Sequence, residues 1–183
     1  MSTRSWTTLA SKTLIERWWM TLREDRVQLP NGTVLDEYHV LHYPDWAMAL
    51  PITDDGQVVM VEQYRYGVER LSLEFPAGAV DPNEDVETAA RRELLEETGY
   101  EAEAWTYLGK GAVEPGRHTN YGHVFVAQSA QRVGDPHLDP AEDLAVRLVA
   151  VRELPALVAS GAITHSTHIA AVFWAIHAGL LPE

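Results

Sequence analysis

The sequence predicts an α/β fold, a sandwich of helices on a mixed sheet with a β-rich arm ahead of it. Strand candidates recur through residues 46–76 and again through 105–151. One helix interrupts them after Asp85, and a helical pair closes the chain from Arg152 to Ala178. Strands alternating with helices on this scale are laid out as a sheet with helices over its faces.

Residues 1–45 read as an arm, not as a complete domain, and residues 46–183 as the main domain. Arg17 to Arg23 is rich in strand formers, Val27-Gln28-Leu29 enters the turn Pro30-Asn31-Gly32, and Val34 to Tyr43 is the return strand. Two or three strands cannot bury themselves alone, so this arm is expected to pack on the main domain or on another subunit. Trp18 and Trp19 are core or interface candidates.

In the main domain, Ala47 to Ile52 is an apolar strand and Asp54-Asp55-Gly56 a turn. Val58 to Tyr66 is the next strand, and Leu71 to Phe75 the third. After the central helix, Trp105 to Val113, Tyr121 to Ala127 and Val146 to Val151 continue the sheet, with a polar, turn-rich loop over Gln128 to Ala141. Arg152 to Ala159 is a short helix stopped at Gly161. Ser166 to Ala178 is another, with Ile169, Val172, Phe173 and Ile176 apolar and Gly179 as its stop. His165 and His168 have the spacing of a metal pair. Without cysteine or a nearby acid they are assigned to the helix start and its exposed face.

The chemistry sits on the central helix. Asp85 is its N-cap, Gly99 its C-terminal stop, and Val86, Ala90 and Leu94 form one apolar face. Glu93, Glu96 and Glu97 stand at i, i+3 and i+4, so three carboxylates share a side. Like charges at that spacing repel by about 0.2–0.5 kcal/mol per pair. A hard divalent cation that takes carboxylate and phosphate oxygens would offset that cost. A solvated face paired with Arg91 and Arg92 is the alternative.

Composition narrows the class. The 183 residues, 46% hydrophobic with six Trp, suit one domain with a small appendage. A net charge of −13 argues against a nucleic-acid partner. There is no cysteine, hence no disulfide or thiol chemistry. No apolar run is long enough to span a bilayer, so no membrane partner is expected. Met1 to Trp6 lacks an apolar export core, so a cytoplasmic location is expected.

Gly78, Glu84, Arg92, Glu93, Leu94, Glu96, Glu97 and Gly99 fall at the fixed positions of G-x(5)-E-x(7)-R-E-U-x-E-E-x-G-U, where U is a bulky apolar residue. This resembles the box of the Nudix hydrolases; Tyr100 stands where an aliphatic residue is usual. Gln63-Tyr64-Arg65, Glu74-Phe75-Pro76-Ala77-Gly78 and Pro115, sixteen residues beyond Gly99, resemble the ADP-ribose pyrophosphatase branch. His118-Thr119-Asn120 departs from that branch, which often has an acid there.

The resemblance implies a Nudix-type α/β/α sandwich and a homodimer with exchanged N-terminal arms. It implies a catalytic set of Glu93, Glu96 and Glu97, with Mg²⁺ (Mn²⁺ as the alternative) held by these three and by the Ala77 carbonyl. Arg65, Glu74 and Pro115 are the implied substrate-binding residues. Arg65 paired with Glu62, Glu69 or Glu74 on the surface is the plainer reading. Glu142 is the implied general base, with Asp139 and Asp143 as alternatives, and Arg92 and Glu84 are expected to brace the box. The implied reaction is hydrolysis of a nucleoside diphosphate linked to a second moiety, with ADP-ribose or a related nucleotide sugar leading. The alternatives are another substrate such as GDP-mannose or a dinucleoside polyphosphate, or a non-catalytic reader of ADP-ribose.

Overall fold

The structure, a computed structural model, describes residues 4–182; Met1 to Thr3, half of the stretch that lacks an export core, and Glu183 lie outside them. The chain divides into two compact units, one running to Pro44 and including Ala112–Tyr121, the other holding Asp45–Gly111 and the chain from Gly122.

The first unit is built on three antiparallel strands in the order β1 (Thr7–Arg17), β2 (Met20–Gln28), β3 (Val34–His42). The β2–β3 turn falls at Pro30-Asn31-Gly32 as expected, with Gly32 at φ 87°. Arg17 to Arg23, rich in strand formers, holds the end of β1, a turn and the start of β2, with Trp18 at the turn and 97% exposed. β1 escapes a pattern search because all of its residues are exposed, so no in–out alternation marks it. Asp25, 3% exposed, accepts from Ser11 Oγ at 2.6 Å and Arg23 Nε at 2.9 Å, so its buried charge is partnered. Residues 112–121 lie along β3. Leu41 N–H donates to the Arg117 carbonyl, Thr119 N–H to the Leu41 carbonyl, and Asn120 Nδ2 to the Pro44 carbonyl.

The second unit is a seven-stranded mixed sheet with three helices. Its strands are β4 (Trp46–Ile52), β5 (Gln57–Arg65), β6 (Arg70–Glu74), β7 (Ala77–Ala79), β9 (Ala104–Ala112), β10 (Tyr121–Gln128) and β12 (Leu144–Ala150). Two short strands, β8 (Tyr100–Glu101) and β11 (Gln131–Arg132), pair with each other inside the loop region. The helices are α1 (Val86–Thr98), α2 (Leu154–Ser160) and α3 (Ser166–His177). β4 and β5 meet at Ile52–Val58 and then part. β6 fills the gap along β5, and β7 along β4, which β10 joins in parallel on its other side.

Alternate residues of the central strands point to opposite faces, as a strand requires. Met48, Leu50, Val58, Met60, Val124 and Val126 meet Ala171, Val172 and Ala175 of α3 in one cluster. Ala47, Ala49, Val59, Phe125 and Ala127 lie in the clusters that take in Ala89, Ala90 and Leu94 of α1. Both faces of the sheet are covered, so the predicted α/β/α sandwich is what forms. Among the described residues no helix is long and apolar enough to cross a membrane.

Two assignments on α3 change. His165 is the N-cap, its Nδ1 accepting from Thr167 N–H at 3.3 Å, as expected of a helix start. His168 is not on the exposed face; it is 1% exposed and stacks between Trp46 and Phe75. Phe173, expected in the apolar face, is 57% exposed, because the neighbouring Val172 already points at the core and adjacent helix positions diverge by about 100°.

Candidate active site

The α1 helix begins and ends where its sequence says. The Asp85 carboxylate accepts from Glu87 and Thr88 N–H, and Gly99 closes the helix at φ 72°. Ala90 and Leu94 seat it on the sheet, and that seating separates the three acids. Glu93 and Glu97, one turn apart, are 9% and 5% exposed, whereas the Glu96 side chain is 46% exposed. Glu97 lies against β7, where Ala77 N–H donates to its Oε2 at 3.0 Å. Glu93 lies over Gly78, where an added Cβ would stand 2.2 Å from the Glu93 carboxyl carbon. Glycine is therefore what lets that carboxylate reach the strand.

Arg92 braces this arrangement with all five of its N–H donors. Nε and Nη2 form a fork on Glu84 at 3.0 Å each, and Nη2 also reaches the Ala79 carbonyl. Nη1 contacts Glu93 at 2.6 Å and Glu96 at 3.2 Å. The Glu84 fork does most to hold Arg92 protonated, and the same pair holds Glu84 below the usual carboxylate range. The box thus carries its own cation between the loop and the helix.

The two buried acids remain short of positive charge. Burial raises the Glu93 carboxyl; Arg92 works against this, and the charges of Glu96 and Glu142 add to it. Burial, then the charge of Glu93, pushes Glu97 up to about 8; the Ala77 hydrogen bond and Arg65 oppose the shift and Glu142 reinforces it.

Glu142 belongs to the same field, on a loop fastened to the end of α1. Val133 and Gly134 N–H donate to the Gly99 carbonyl and His137 N–H to the Glu96 carbonyl, filling acceptors that a helix end leaves open. Glu142 closes a small turn with Asp139, accepting from its N–H at 2.9 Å.

Arg65 of β5 pairs with Glu74 of β6, one of the three partners the sequence offered. Nε donates at 2.8 Å, and Nη2 takes the second carboxylate oxygen. Glu74 is 2% exposed; burial alone would raise its carboxyl, and Arg65 more than reverses this. Glu74 therefore stands behind Arg65, with both carboxylate oxygens committed to the guanidinium. The Arg65 side chain is 46% exposed, and its Nη1 lies outside the fork. Glu62, another offered partner, is taken by Arg147. Pro115 belongs to the first unit, in a turn where Arg117 and His118 N–H donate to the Glu114 carbonyl.

Arg65, Glu74, Ala77, Glu93, Glu96, Glu97 and Glu142 thus form one electrostatic neighbourhood on β5, β6, β7, α1 and the loop between β11 and β12. Among the described residues no three His, Asp or Glu side chains converge as a ready metal cage. The donor chemistry still suits a hard divalent cation, since two buried carboxylates with raised pKa values are all-oxygen ligands in need of charge.

A match to the NUDIX domain covers residues 42–171, more than half of the chain. The chain belongs to the Nudix family. Residues 6–41 match a second description, the nucleoside diphosphate sugar hydrolase N-terminal domain. An ADP-ribose pyrophosphatase of Mycobacterium tuberculosis is 32% identical over 97% of this chain and 86% of its own length. One from Bacillus subtilis is 32% identical over 84% and 83%. A methanol dehydrogenase activator of Bacillus methanolicus is 38% identical, but the match spans only 60% of that protein. A solved ADP compounds hydrolase superposes with a TM-score of 0.84 at 25% identity, covering 99% of this chain and all of the other. In this Nudix chain the acids and glycines of the box run from β7 through the loop after it to the end of α1.

Proposed function

We propose that the protein is a divalent-metal-dependent diphosphatase acting on ADP-ribose or a related ADP-sugar, giving AMP and a sugar phosphate. The observation that carries this is the buried Glu93–Glu97 pair beside the half-exposed Arg65, which brings acid oxygens for a cation and a guanidinium for phosphate into one site. The names of the long-range relatives support the choice of substrate class.

Glu93, Glu96, Glu97 and the Ala77 carbonyl would hold Mg²⁺, with Mn²⁺ as the alternative. The chemistry such a cation supplies is charge neutralisation on the phosphates and a lowered pKa for water. Arg65, oriented by Glu74, binds the diphosphate through the part of its guanidinium that Glu74 leaves free. Glu142, on the loop tied to α1, takes the proton from the attacking water. Arg92 and Glu84 keep the box loop against the helix, and Pro115 shapes the substrate loop of the first unit. The cytoplasm, where nucleotide sugars and Mg²⁺ are both at hand, is the compartment this reading assigns.

Incubation with Mg²⁺ and, separately, ADP-ribose, GDP-mannose, NADH, diadenosine polyphosphates and nucleoside triphosphates is expected to release AMP fastest from ADP-ribose, with products identified by mass. Preference for another diphosphate would move the specificity and keep the mechanism. No turnover of any compound would overturn the enzymatic reading in favour of a reader of ADP-ribose.

We also propose a homodimer formed through the arm. β1 is an eleven-residue edge strand with Leu9, Leu14 and Ile15 exposed, an unpaired edge that soluble chains cover. Sedimentation at micromolar concentration should give twice the 20.4 kDa chain mass; a monomer there sinks the proposal.

A further inference from the structure

His168 is the buried titratable group that the reaction as written leaves unused. Three main-chain N–H groups at alternate residues, from β6 across the bend at Pro76 to β7, each leave the sheet for a different acceptor. Leu73 N–H donates to the Ala162 carbonyl at 3.0 Å, Phe75 N–H to His168 Nδ1 at 3.0 Å, and Ala77 N–H to Glu97 Oε2 at 3.0 Å. The middle acceptor is the imidazole. On one side of it in sequence lies Glu74, which orients Arg65; on the other lies Ala77, which meets Glu97.

We propose that His168 is a positioning residue for the diphosphatase site: by accepting the Phe75 N–H it fixes the segment from which Glu74 aims Arg65 and Ala77 holds Glu97. The inference rests on the functional reading above. The ring is clamped at centroid distances of 5.7 Å from both Trp46 and Phe75, nearly parallel to Phe75 at 4°. Such a ring cannot turn away from its donor without opening the core. An Nδ1 that accepts must be unprotonated, and the surroundings keep it so. Burial and the neighbouring His165 push His168 down to about 3, with Arg65 helping and Glu74 opposing. A bare Phe75 N–H at this depth would lack any partner, which buried amides rarely tolerate. The imidazole is also the link from α3, on one face of the sheet, to acids carried by α1 on the other.

Two substitutions separate positioning from packing. His168→Phe keeps the ring and volume and removes the acceptor. His168→Asn leaves a cavity but returns an acceptor oxygen close to where Nδ1 stood. ADP-ribose turnover with Mg²⁺ is measured alongside amide hydrogen exchange at Phe75 and Ala77 in the free protein. His168→Phe is expected to lower kcat by about tenfold or more, as displacement near a reacting centre does, with KM within about twofold. Exchange should quicken at both amides. His168→Asn should recover most of kcat while melting lower than His168→Phe. Activity that follows melting temperature instead, with Phe equal to or better than Asn, overturns the proposal. So does an Ala77 amide that keeps its protection when that of Phe75 is lost. If the wild type turns over no ADP-ribose, the exchange result decides the proposal by itself. Should His168→Phe not fold, His168→Gln, whose amide falls near the Nε2 position, replaces it with the same expected outcome.

Discussion

Replacing Glu97 by Gln is expected to remove most turnover and, in the absence of divalent cations, to raise the melting temperature at pH 8. The two effects have one cause. Glu97 is 5% exposed, and burial with the charge of Glu93 lifts its carboxyl from 4.5 to about 8. An acid whose pKa rises on folding stabilises the fold fully below about 4.5, and that contribution drains away as pH climbs through about 8. Gln keeps an oxygen for the Ala77 N–H and has no charge to bury. Its advantage over Glu at pH 8 is on the order of 2–4 kcal/mol, at about 1.4 kcal/mol per tenfold in proton affinity. That corresponds to several degrees in a chain of this size, at about 2–4 °C per kcal/mol. At pH 5 the advantage should nearly vanish. Excess Mg²⁺ should stabilise the wild type at pH 8 and the variant much less. Turnover should fall by about 10²–10³-fold or more, the scale on which catalytic charge stabilisation is lost. Turnover near wild type, or a melting difference independent of pH, would remove Glu97 from the site.

The second large effect is expected at Arg65. Removing it strands a carboxylate that is 2% exposed. Breaking a buried ion pair in this way costs about 3–5 kcal/mol, and the low end applies because the Arg65 side chain is 46% exposed. Arg65→Ala should therefore melt lower and also lose about 100-fold or more in kcat/KM, the size of two charge-assisted hydrogen bonds to phosphate. Adding Glu74→Gln separates the two losses. The double variant should regain most of the stability, since no charge is left stranded, and none of the activity. If activity returns together with stability, Arg65 serves the fold alone.

Much of this was legible in the chain because it is local. Asp85, Gly99 and the apolar spacing of Val86, Ala90 and Leu94 fixed α1, and hydrogen bonds and φ values bear them out. The acids on that helix were legible for the same reason, but not their unequal burial. Which of Glu93, Glu96 and Glu97 turns inward depends on how α1 sits over β7. The partner of Arg65 was open among three acids. It is settled by the register of β5 against β6, with Glu74 opposite Val61, and by a turn that passes through Glu69 at φ 52°. Two histidines three apart carry no sign of which one the core takes, and so the sequence alone does not show that His168 is buried. β1 is not legible in the sequence because every residue on it is exposed.

The loop bearing Glu142 is held to α1 by main-chain groups: the N–H groups of Val133, Gly134 and His137 on the carbonyls of Gly99 and Glu96. Apart from proline, which has no N–H to donate, bonds of this kind do not depend on which side chains the loop carries. Substitutions through residues 133–138 can accumulate without unfastening it, so this stretch is free to diverge among descendants of the chain while its path stays the same. The constraint falls on the helix side, at Gly99, where an added Cβ would stand 2.3 Å from the Gly134 carbonyl oxygen. A lineage can therefore retune what its loop offers to a substrate by changing loop residues alone, provided that one glycine is kept.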